Sequence, residues 1–375
     1  FYRAIQRARN ITLVYNSTTE GLSKGEMSRF MMQLKIDTDL EIEEQNVETS
    51  IPSIESSLIE VEKDEMIMKE LGRYSDPKEK KYLSPSAFNT YLDCQLKFYF
   101  QQIMKIRPKQ DQEDFQNTDI GKIFHGSMED IYRGQENCEI TEEYIRQFMM
   151  NDKKLSEIVN NRINTEFFKG KHVEESDYSG KMQIHKEMIV IYVKKQLSRD
   201  LRHCPFYYIE SEKEHVMDVE LSNGTKIGLG GLIDRVDMKD DCLRVVDYKT
   251  GGSPEKVSDF FSMVDSDLPH DKRGHYALQT AIYSLILHKE RGCSVVPSLS
   301  YVAKLKMNME DDDQGIISFG KEHGALEINS QNADEFLNTI MPAMESIFDP
   351  SVSFCQTPYV ENCSYCDFRN ICRKG

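Results

Sequence analysis

The chain has 375 residues, with 47 basic and 63 acidic side chains that give a formal charge of −16. Its length predicts two or three domains, and its apolar content is enough for a real core. The acidic balance disfavours a generic polyanion-binding protein. No apolar run reaches membrane-spanning length and no secretory signal opens the sequence, so we expect no membrane contact. Because the sequence starts at Phe1 rather than Met, we expect a fragment of a longer protein.

Residues 1–36 begin with a basic helical stretch that runs into an apolar strand at residues 11–15. The stretch resembles the last motif of superfamily 1 helicases, with Gln6 in place of the usual threonine. The resemblance implies the remnant of a degenerate motor domain; the alternative is any basic helix–strand unit. The sequence has no GxxxxGK[ST] phosphate loop, so we expect no ATP binding of the usual kind.

Most of the acidic excess lies in residues 37–80. This segment is punctuated by serine, threonine and proline, and its periodicity is weak apart from one short helix near Glu60–Leu71. The composition favours a solvated acidic linker with no chemical role.

Helical patterns dominate the next part of the chain. Residues 83–107 predict a capped amphipathic helix that contains Cys94, and a single cysteine on such a helix is usually a core residue. Residues 118–133 predict a second helix that carries His125, and a lone helical histidine is usually structural. Residues 141–202 carry no chemical signal, and a helical insertion is the simplest interpretation.

Three strands follow. Residues 207–221 alternate apolar and polar side chains, and Asn223-Gly224 is a turn signal. The segments Gly231–Asp237 and Leu243–Gly251 are rich in β-branched and apolar residues. Between them, Met238–Cys242 is short and polar enough to turn the chain back. The sequence therefore predicts a hairpin.

The hairpin gathers two carboxylates and one ammonium group. Side chains two apart on a strand share a face, so Asp247 and Lys249 point the same way, and Asp234 on the neighbouring strand can reach the same spot. Buried carboxylates are costly unless a divalent cation lies between them, and oxygen ligands suit Mg²⁺ or Mn²⁺. Mg²⁺ beside a lysine is a combination for phosphodiester hydrolysis. The alternative is a surface hairpin with three charges.

A polar loop, a helix and a strand come next. The loop covers residues 253–274, and residues 275–288 predict a helix on which Gln279 and Tyr283 share one face because they are four apart. Residues 297–306 have the pattern of a last core strand.

Nine cysteines, an odd number, argue against a secreted disulfide framework. Three of them, Cys363, Cys366 and Cys372, have the spacing C-x₂-C-x₅-C. Such a cluster suggests a metal site in a reducing compartment, the cytoplasm. Three thiolates need a fourth ligand, and a four-cysteine set can hold zinc or a [4Fe–4S] cluster. Spacing alone cannot choose between them.

These motifs together resemble a known family. Gly-Leu-Ile-Asp234 followed by Asp247-Tyr-Lys249-Thr-Gly is similar to the catalytic core of the PD-(D/E)XK nucleases, in the branch with RecB-type and AddB-type exonuclease domains. The resemblance implies that residues 81–375 form an α/β domain, with a mixed sheet flanked by helices and with helical insertions.

The resemblance also implies roles for single residues. The implied ligands of one or two Mg²⁺ ions are His125, Asp234, Asp247 and the Tyr248 carbonyl, with Glu212 as a weaker candidate. Lys249 would position or help deprotonate the attacking water and offset charge on the phosphorane, while Gln279 and Tyr283 would orient the water or the scissile strand. Cys94 is the implied fourth cysteine ligand, and an iron–sulfur cluster is favoured over zinc.

The implied function is that of a metal-dependent DNA exonuclease domain in a helicase–nuclease that resects double-strand breaks for recombinational repair. Its substrate would be a single strand from unwound duplex, and its partner an AddA-type helicase–nuclease subunit. A CRISPR-associated iron–sulfur nuclease is one alternative, which the helicase-like leader disfavours. A catalytically silent DNA-holding module is another, which the intact acidic residues disfavour.

Overall fold

The structure, a computed structural model, describes residues 1–15, 19–20, 23–24, 27–45, 58–107, 115–306, 315–320 and 324–372. The chain divides into two compact units, Phe1–Ser56 and Ser57–Gly375. None of the helices in the described part of the chain combines the length and the apolar character that a membrane crossing requires.

The smaller unit contains the short elements α1 (Tyr2–Ile5), β1 (Thr19–Glu20), β2 (Ser23–Lys24) and α2 (Arg29–Asp37). The two strands pair antiparallel, and Ser28 caps α2 by accepting a hydrogen bond from the Met31 N–H. The strand predicted at residues 11–15 is wrong, because these residues have no regular structure. A strand needs a partner for its backbone groups, and these five residues pair with no described strand.

The larger unit is built on long strands and many helices. Its strands are β3 (Glu60–Val61), β4 (Tyr82–Leu83), β5 (Cys138–Ile140), β6 (Phe206–Glu220), β7 (Lys226–Lys239), β8 (Cys242–Lys249), β9 (Val295–Tyr301) and β10 (Phe354–Cys355). Its α-helices are α3 (Glu65–Gly72), α4 (Pro85–Asp93), α5 (Gln95–Phe98), α6 (Asn117–Tyr132), α7 (Glu142–Met149), α8 (Asp152–Glu166), α9 (Gly180–His203), α10 (His275–Arg291) and α11 (Ala333–Phe348).

A mixed sheet organises this unit. The strand order is β5-β6-β7-β8-β9, and β4 pairs in parallel with β7. Strands β6, β7 and β8 are antiparallel neighbours, whereas β8 and β9 run parallel and are joined across α10. Strands β8 and β9 therefore end at the same edge of the sheet, where Lys249 pairs with Tyr301. The predicted mixed sheet flanked by helices is confirmed.

Helices cover both faces of the sheet. Val245 belongs to an apolar core with residues of α4, α10 and α11, while its neighbour Val246 belongs to a second core with residues of α6 to α9. Alternate residues of β8 thus enter different cores, as the period of a strand requires. Such double coverage explains why this strand is buried almost throughout.

The predicted hairpin is present, but its turn is shorter than the five-residue segment Met238–Cys242 that the sequence predicted. Lys239 pairs with Cys242, so two residues, Asp240 and Asp241, make the turn. Their φ values of 52° and 60° lie in the left-handed region. This is the geometry of the two-residue hairpin turns that follow the natural twist of the strands.

Part of the predicted acidic linker is packed rather than solvated. β3 pairs antiparallel with β10, and Ile67 and Leu71 on α3 are buried in the core shared with α4 and α10. The apolar face of α3 explains this, because burying it offsets the cost of ordering the segment. The assignment of residues 1–36, 37–80 and 81–375 to separate domains remains a prediction.

Candidate metal centre

The register of three strands places three carboxylates in one row across the sheet. Ser211 pairs with Arg235 and Lys213 with Ile233, so Glu212 on β6 lies opposite Asp234 on β7. Arg235 in turn pairs with Val246. One step further along the same register, Asp234 lies opposite Asp247 on β8.

His125 approaches this row from α6. The helix begins with a reciprocal cap between Gln116 and Asp119, and two turns later it brings His125 to the sheet edge. The His125 Nδ1 atom is 3.4 Å from both Glu212 Oε1 and Asp234 Oδ1. Its Nε2 atom is 3.2 Å from the Tyr248 carbonyl oxygen.

Three of these side chains could hold a metal ion. Ligand atoms of His125, Glu212 and Asp234 all lie within 4.8 Å of one another, and no other such group of three His, Cys, Asp or Glu residues occurs in the described parts of the chain. The Glu212 backbone has a φ of 46°, next to a register shift between Tyr208 and Glu210. This irregularity in β6 sets which of the neighbouring acidic side chains faces the histidine.

In this site three carboxylates face two cationic side chains, His125 and Lys249. Burial acts to raise the pKa of Asp234, but His125, Lys249 and the Tyr248 N–H hold it below its ordinary value. Burial raises the pKa of Asp247 to about 6; Lys249 opposes this shift and the Asp234 carboxylate adds to it. Burial lowers the pKa of His125, yet Asp234 and Glu212 outweigh it and raise that pKa to about 10.

Lys249 is fixed by three contacts. Its Nζ atom is 2.7 Å from Asp247 Oδ2, donates to Gln279 Oε1 at 3.4 Å, and lies 4.5 Å from the centre of the Tyr276 ring. Burial acts to lower the pKa of Lys249, but the charges of Asp247 and Asp234 raise it. The side chain therefore stays an ammonium ion at neutral pH.

Helix α10 contributes the remaining predicted residues. Gln279 and Tyr283 share a face of the helix, and burial raises the pKa of Tyr283 overall although Gln279 acts to lower it. The Tyr283 hydroxyl packs against Gly231 on β7, where a Cβ atom would lie 2.9 Å away. A glycine is required at this point for the helix to reach the sheet.

The cysteines lie in a different part of the unit. The sequence predicted Cys94 inside a helix, and this prediction is wrong. Cys94 lies between α4 and α5 in an extended conformation. Burial raises the pKa of its thiol, although the nearby backbone groups of Lys97, Thr357 and Leu96 oppose the shift. Cys366 is close enough to act electrostatically on Cys94.

Two hydrogen bonds tie the segments that carry these cysteines. Asn362 Nδ2 donates to the Asp93 carbonyl at 3.1 Å, next to Cys94. Gln356 Nε2 donates to the Cys372 carbonyl at 3.3 Å. Among the described residues, however, no three cysteine sulfurs lie within 4.8 Å of one another.

Comparison with known proteins now decides the family. A family model for the PD-(D/E)XK nuclease superfamily matches residues 82–373. The chain belongs to this superfamily. Within the matched range lie the row of carboxylates, His125, Lys249 and the three clustered cysteines.

Three ATP-dependent helicase/deoxyribonuclease subunits of the AddB type are similar to this member of the superfamily. The one from Alkaliphilus metalliredigens is 28% identical over 169 residues, which are 42% of this chain and 14% of that protein. The one from Acetivibrio thermocellus is 28% identical over 197 residues, 48% of this chain and 16% of that protein. The one from Clostridium perfringens is 23% identical over 208 residues, which are 52% of this chain and 17% of that protein. The chain thus matches about a sixth of the length of these relatives.

The structure brings most of the predicted site residues together. His125, Asp234 and Glu212 form one group, with the Tyr248 carbonyl at its edge. Asp247 is adjacent to Asp234 in the strand register, but its Oδ2 atom is engaged by Lys249. Glu212, the weakest of the predicted ligands, is better placed around His125 than Asp247 is.

Sequence reasoning gave no role to Arg235 and Asp200, which are almost fully buried beneath the site. Arg235 Nη1 donates to Asp200 Oδ2 at 2.8 Å and to the Tyr248 hydroxyl at 3.2 Å. One sequence signal could have indicated the role of Arg235. Asp234 and Arg235 are adjacent in a strand, so their side chains point to opposite faces and one of them must face a core. The position of Asp200 on α9 offered no such signal.

Proposed function

We propose that the larger unit is a metal-dependent exonuclease domain of a helicase–nuclease subunit, which hydrolyses phosphodiester bonds of DNA with Mg²⁺ or Mn²⁺. One observation carries the proposal: His125, Glu212 and Asp234 converge within 4.8 Å beside the Asp247–Lys249 pair. Membership of the nuclease superfamily supports the same chemistry.

The donor set fits a hard divalent cation. It offers two carboxylates and an imidazole, with the Tyr248 carbonyl oxygen beside the imidazole, and oxygen-rich sets of this kind suit Mg²⁺ and Mn²⁺. His125, Glu212 and Asp234 would hold the ion, and Asp247 would join them on leaving Lys249. When bound, the cation supplies Lewis-acid charge for the phosphodiester and for the attacking water.

The other side chains orient and balance charge. Lys249 is an ammonium ion aimed into the site, where it offsets negative charge that develops on the phosphate oxygens in the transition state. Gln279 accepts a hydrogen bond from Lys249 and so holds its direction. Tyr283, one turn after Gln279 on α10, would give this helix a second polar contact with the scissile strand or the attacking water.

A cleft of about 360 Å³ opens beside Glu212, and we propose that a nucleotide-sized group reaches the site through it. Its wall includes Arg133 and Lys213 as well as Glu129 and Glu210. We propose that a single DNA strand released from unwound duplex enters here, its phosphates next to the basic side chains.

The description of the relatives as ATP-dependent helicase/deoxyribonuclease subunits supports a place in a two-subunit machine with an AddA-type helicase–nuclease partner. In that setting the domain would resect double-strand breaks during recombinational repair in the cytoplasm. Residues 1–36 would be the remnant of a helicase-like domain in the same polypeptide.

We further propose that Cys94, Cys363, Cys366 and Cys372 hold a [4Fe–4S] cluster. Burial raises the pKa of the Cys94 thiol, but backbone groups of Lys97, Thr357 and Leu96 act to lower it, which favours the thiolate form that a ligand needs. A four-cysteine set of this kind can hold zinc or a [4Fe–4S] cluster. The resemblance of the cysteine pattern to the iron–sulfur nucleases favours the cluster.

The test is Mg²⁺-dependent degradation of end-labelled single-stranded DNA by the full chain, compared with Asp247→Asn. We expect the variant to lose activity and Glu220→Gln, which changes an exposed carboxylate on β6, to keep it. Equal activity in all three proteins, or none in the native protein with iron and Mg²⁺ supplied, would instead identify a DNA-holding module.

A further inference from the structure

A chain of buried polar groups lies under the candidate metal centre, on the sheet face that packs against α6 and α9. At its centre is Arg235, which is 1% exposed and directly follows Asp234. Its guanidinium donates to Asp200 and to the Tyr248 hydroxyl, and its Nη2 atom is 2.7 Å from Asp237 Oδ2. It also lies 4.8 Å from the centre of the Tyr132 ring.

Asp200 on α9 is the second junction of this chain. Its Oδ2 atom accepts a hydrogen bond of 2.6 Å from the Tyr132 hydroxyl, and its Oδ1 atom accepts one of 2.9 Å from Gln196 Nε2. Gln196 Oε1 accepts in turn from Ser300 Oγ at 2.6 Å. The polar chain therefore joins α6, α9, β7, β8 and β9.

The chain ends on the backbone that carries the candidate ligands. Tyr248, whose hydroxyl meets Arg235, donates its N–H to Asp234 Oδ2 at 2.7 Å, and its carbonyl oxygen faces His125 Nε2. Tyr132 lies on the same helix as His125, two turns later. Asp200 thus connects to both elements that must be held in register for a cation to bind.

A buried ionic chain of this kind is not needed for stability. Apolar residues of similar volume pack as well, and ion pairs often cost as much in desolvation as they return. Their benefit is a defined geometry, and groups just outside the ligands typically change metal affinity 10- to 100-fold.

We propose that Asp200, through Tyr132 and Arg235, is a positioning residue that fixes His125 and Asp234 for cation binding. The inference rests on the proposed function for the identity of the cation site. It gives a role to α9, whose sequence carried no chemical signal: this helix supplies the anchor beneath the centre.

The first test is Tyr248→Phe, which removes only the hydroxyl that meets Arg235 and leaves the backbone contacts to Asp234 and His125. We expect the dissociation constant for Mn²⁺, measured by calorimetry on the full chain, to rise about tenfold. Tyr132→Phe, which removes one of the two hydrogen bonds to Asp200 Oδ2, should act in the same direction.

The matched control is Tyr91→Phe. Tyr91 is equally buried and its hydroxyl also makes one hydrogen bond, of 2.8 Å, to Ser346 Oγ, but it belongs to the other core. We expect a similar fall in Tm for all three variants and an unchanged Mn²⁺ affinity for Tyr91→Phe alone.

Native Mn²⁺ affinity in Tyr248→Phe and Tyr132→Phe, with lowered Tm, would overturn the inference and leave the polar chain a purely structural element. Failure of the nuclease proposal gives a different result: the native protein binds Mn²⁺ but does not degrade DNA, and the affinity differences among the variants remain. A native protein that binds no Mn²⁺ would overturn both.

Discussion

The two candidate metal sites of this protein are built in opposite ways. The acidic centre takes its ligands from neighbouring strands and one helix, and they already lie within 4.8 Å of one another. The cysteine segment takes its ligands from Cys94 and from Cys363 to Cys372, far apart in sequence, and no three described sulfurs are that close.

This difference shows how far the fold alone positions the ligands of each site. Strand register fixes the acidic row, because a slip of one residue would turn every side chain to the other face. The cysteines share no such register, because Cys94 lies between α4 and α5 and Cys363 ends a short 3-10 helix. We therefore expect the acidic centre to exist before its ion arrives and the cysteine segment to be completed by what it binds.

The largest effect is expected for Asp234→Asn, which tests whether the row of carboxylates is a cation site. Removing one charged ligand should lower Mg²⁺-dependent DNA degradation by about 10³-fold, because several kcal/mol of transition-state stabilisation is lost. The Tm without Mg²⁺ should change little, whereas the rise in Tm that Mg²⁺ gives the native protein should disappear.

Asp218→Asn is the control, since it changes an exposed carboxylate on β6 away from the row. Equal Mg²⁺-induced stabilisation in native protein and Asp234→Asn would show that the cation binds elsewhere.

Cys363→Ser addresses the other half of the comparison. If a cluster links Cys94 to the C-terminal cysteines, the variant should lose about 5 kcal/mol of unfolding free energy, the scale of a crosslink over a long loop. Iron and sulfide content should fall with it. Below the Tm, the acidic centre should still bind Mn²⁺ with native affinity, because the strands that carry it are intact.

Cys138→Ser, at an exposed cysteine, should leave both iron content and Tm unchanged. Native Tm and iron content in Cys363→Ser would remove Cys363 from the ligand set.

Lys249→Gln separates binding from rate within the acidic centre. Loss of the ammonium group should lower the maximal rate of DNA degradation about 10²-fold, the usual effect of removing one charge-stabilising donor. Mn²⁺ binding should persist, because the carboxylates and His125 remain. Lys226→Gln, at an exposed site on β7, is the matched control. A rate that stays native in Lys249→Gln would exclude a role in the reaction.

The smallest effect concerns the ionic support of β6, close to Glu212. The hydrogen bond from His215, helped by Lys213 and Arg291, lowers the pKa of Glu210 to about 2 although burial opposes it. A carboxylate whose folded pKa lies below its unfolded value of about 4.3 stabilises the protein above that value and loses this contribution as the pH falls.

We therefore expect the unfolding free energy of the native protein to fall between about pH 4.3 and pH 2 by about 1 kcal/mol more than that of Glu210→Gln. His215 stays protonated in both states across this window and adds no slope. Denaturant titrations at several pH values measure the difference, with Glu220→Gln as the control. Parallel curves for Glu210→Gln and native protein would contradict the expectation.

The sequence predicted the parts of the fold that depend on local pattern. The hairpin, with Asp247 and Lys249 on one face, follows from strand periodicity and a short polar turn, and α6 follows from its apolar spacing. Glu212 was only a weak candidate among three nearby acidic residues, because its place beside His125 depends on an irregularity in β6. Asp200 was out of reach for another reason: helix packing against a sheet is a tertiary property.

The pairing of β3 with β10 has a consequence for synthesis. Residues 60–61 leave the ribosome long before residues 354–355, their partners, whereas every strand of the acidic row is translated in between. A nascent chain can therefore assemble the acidic row while β3 still presents unpaired backbone groups. Because β3 is only two residues long, its unpaired edge is a poor template for a strand from another polypeptide, so its late pairing carries little risk of misassembly.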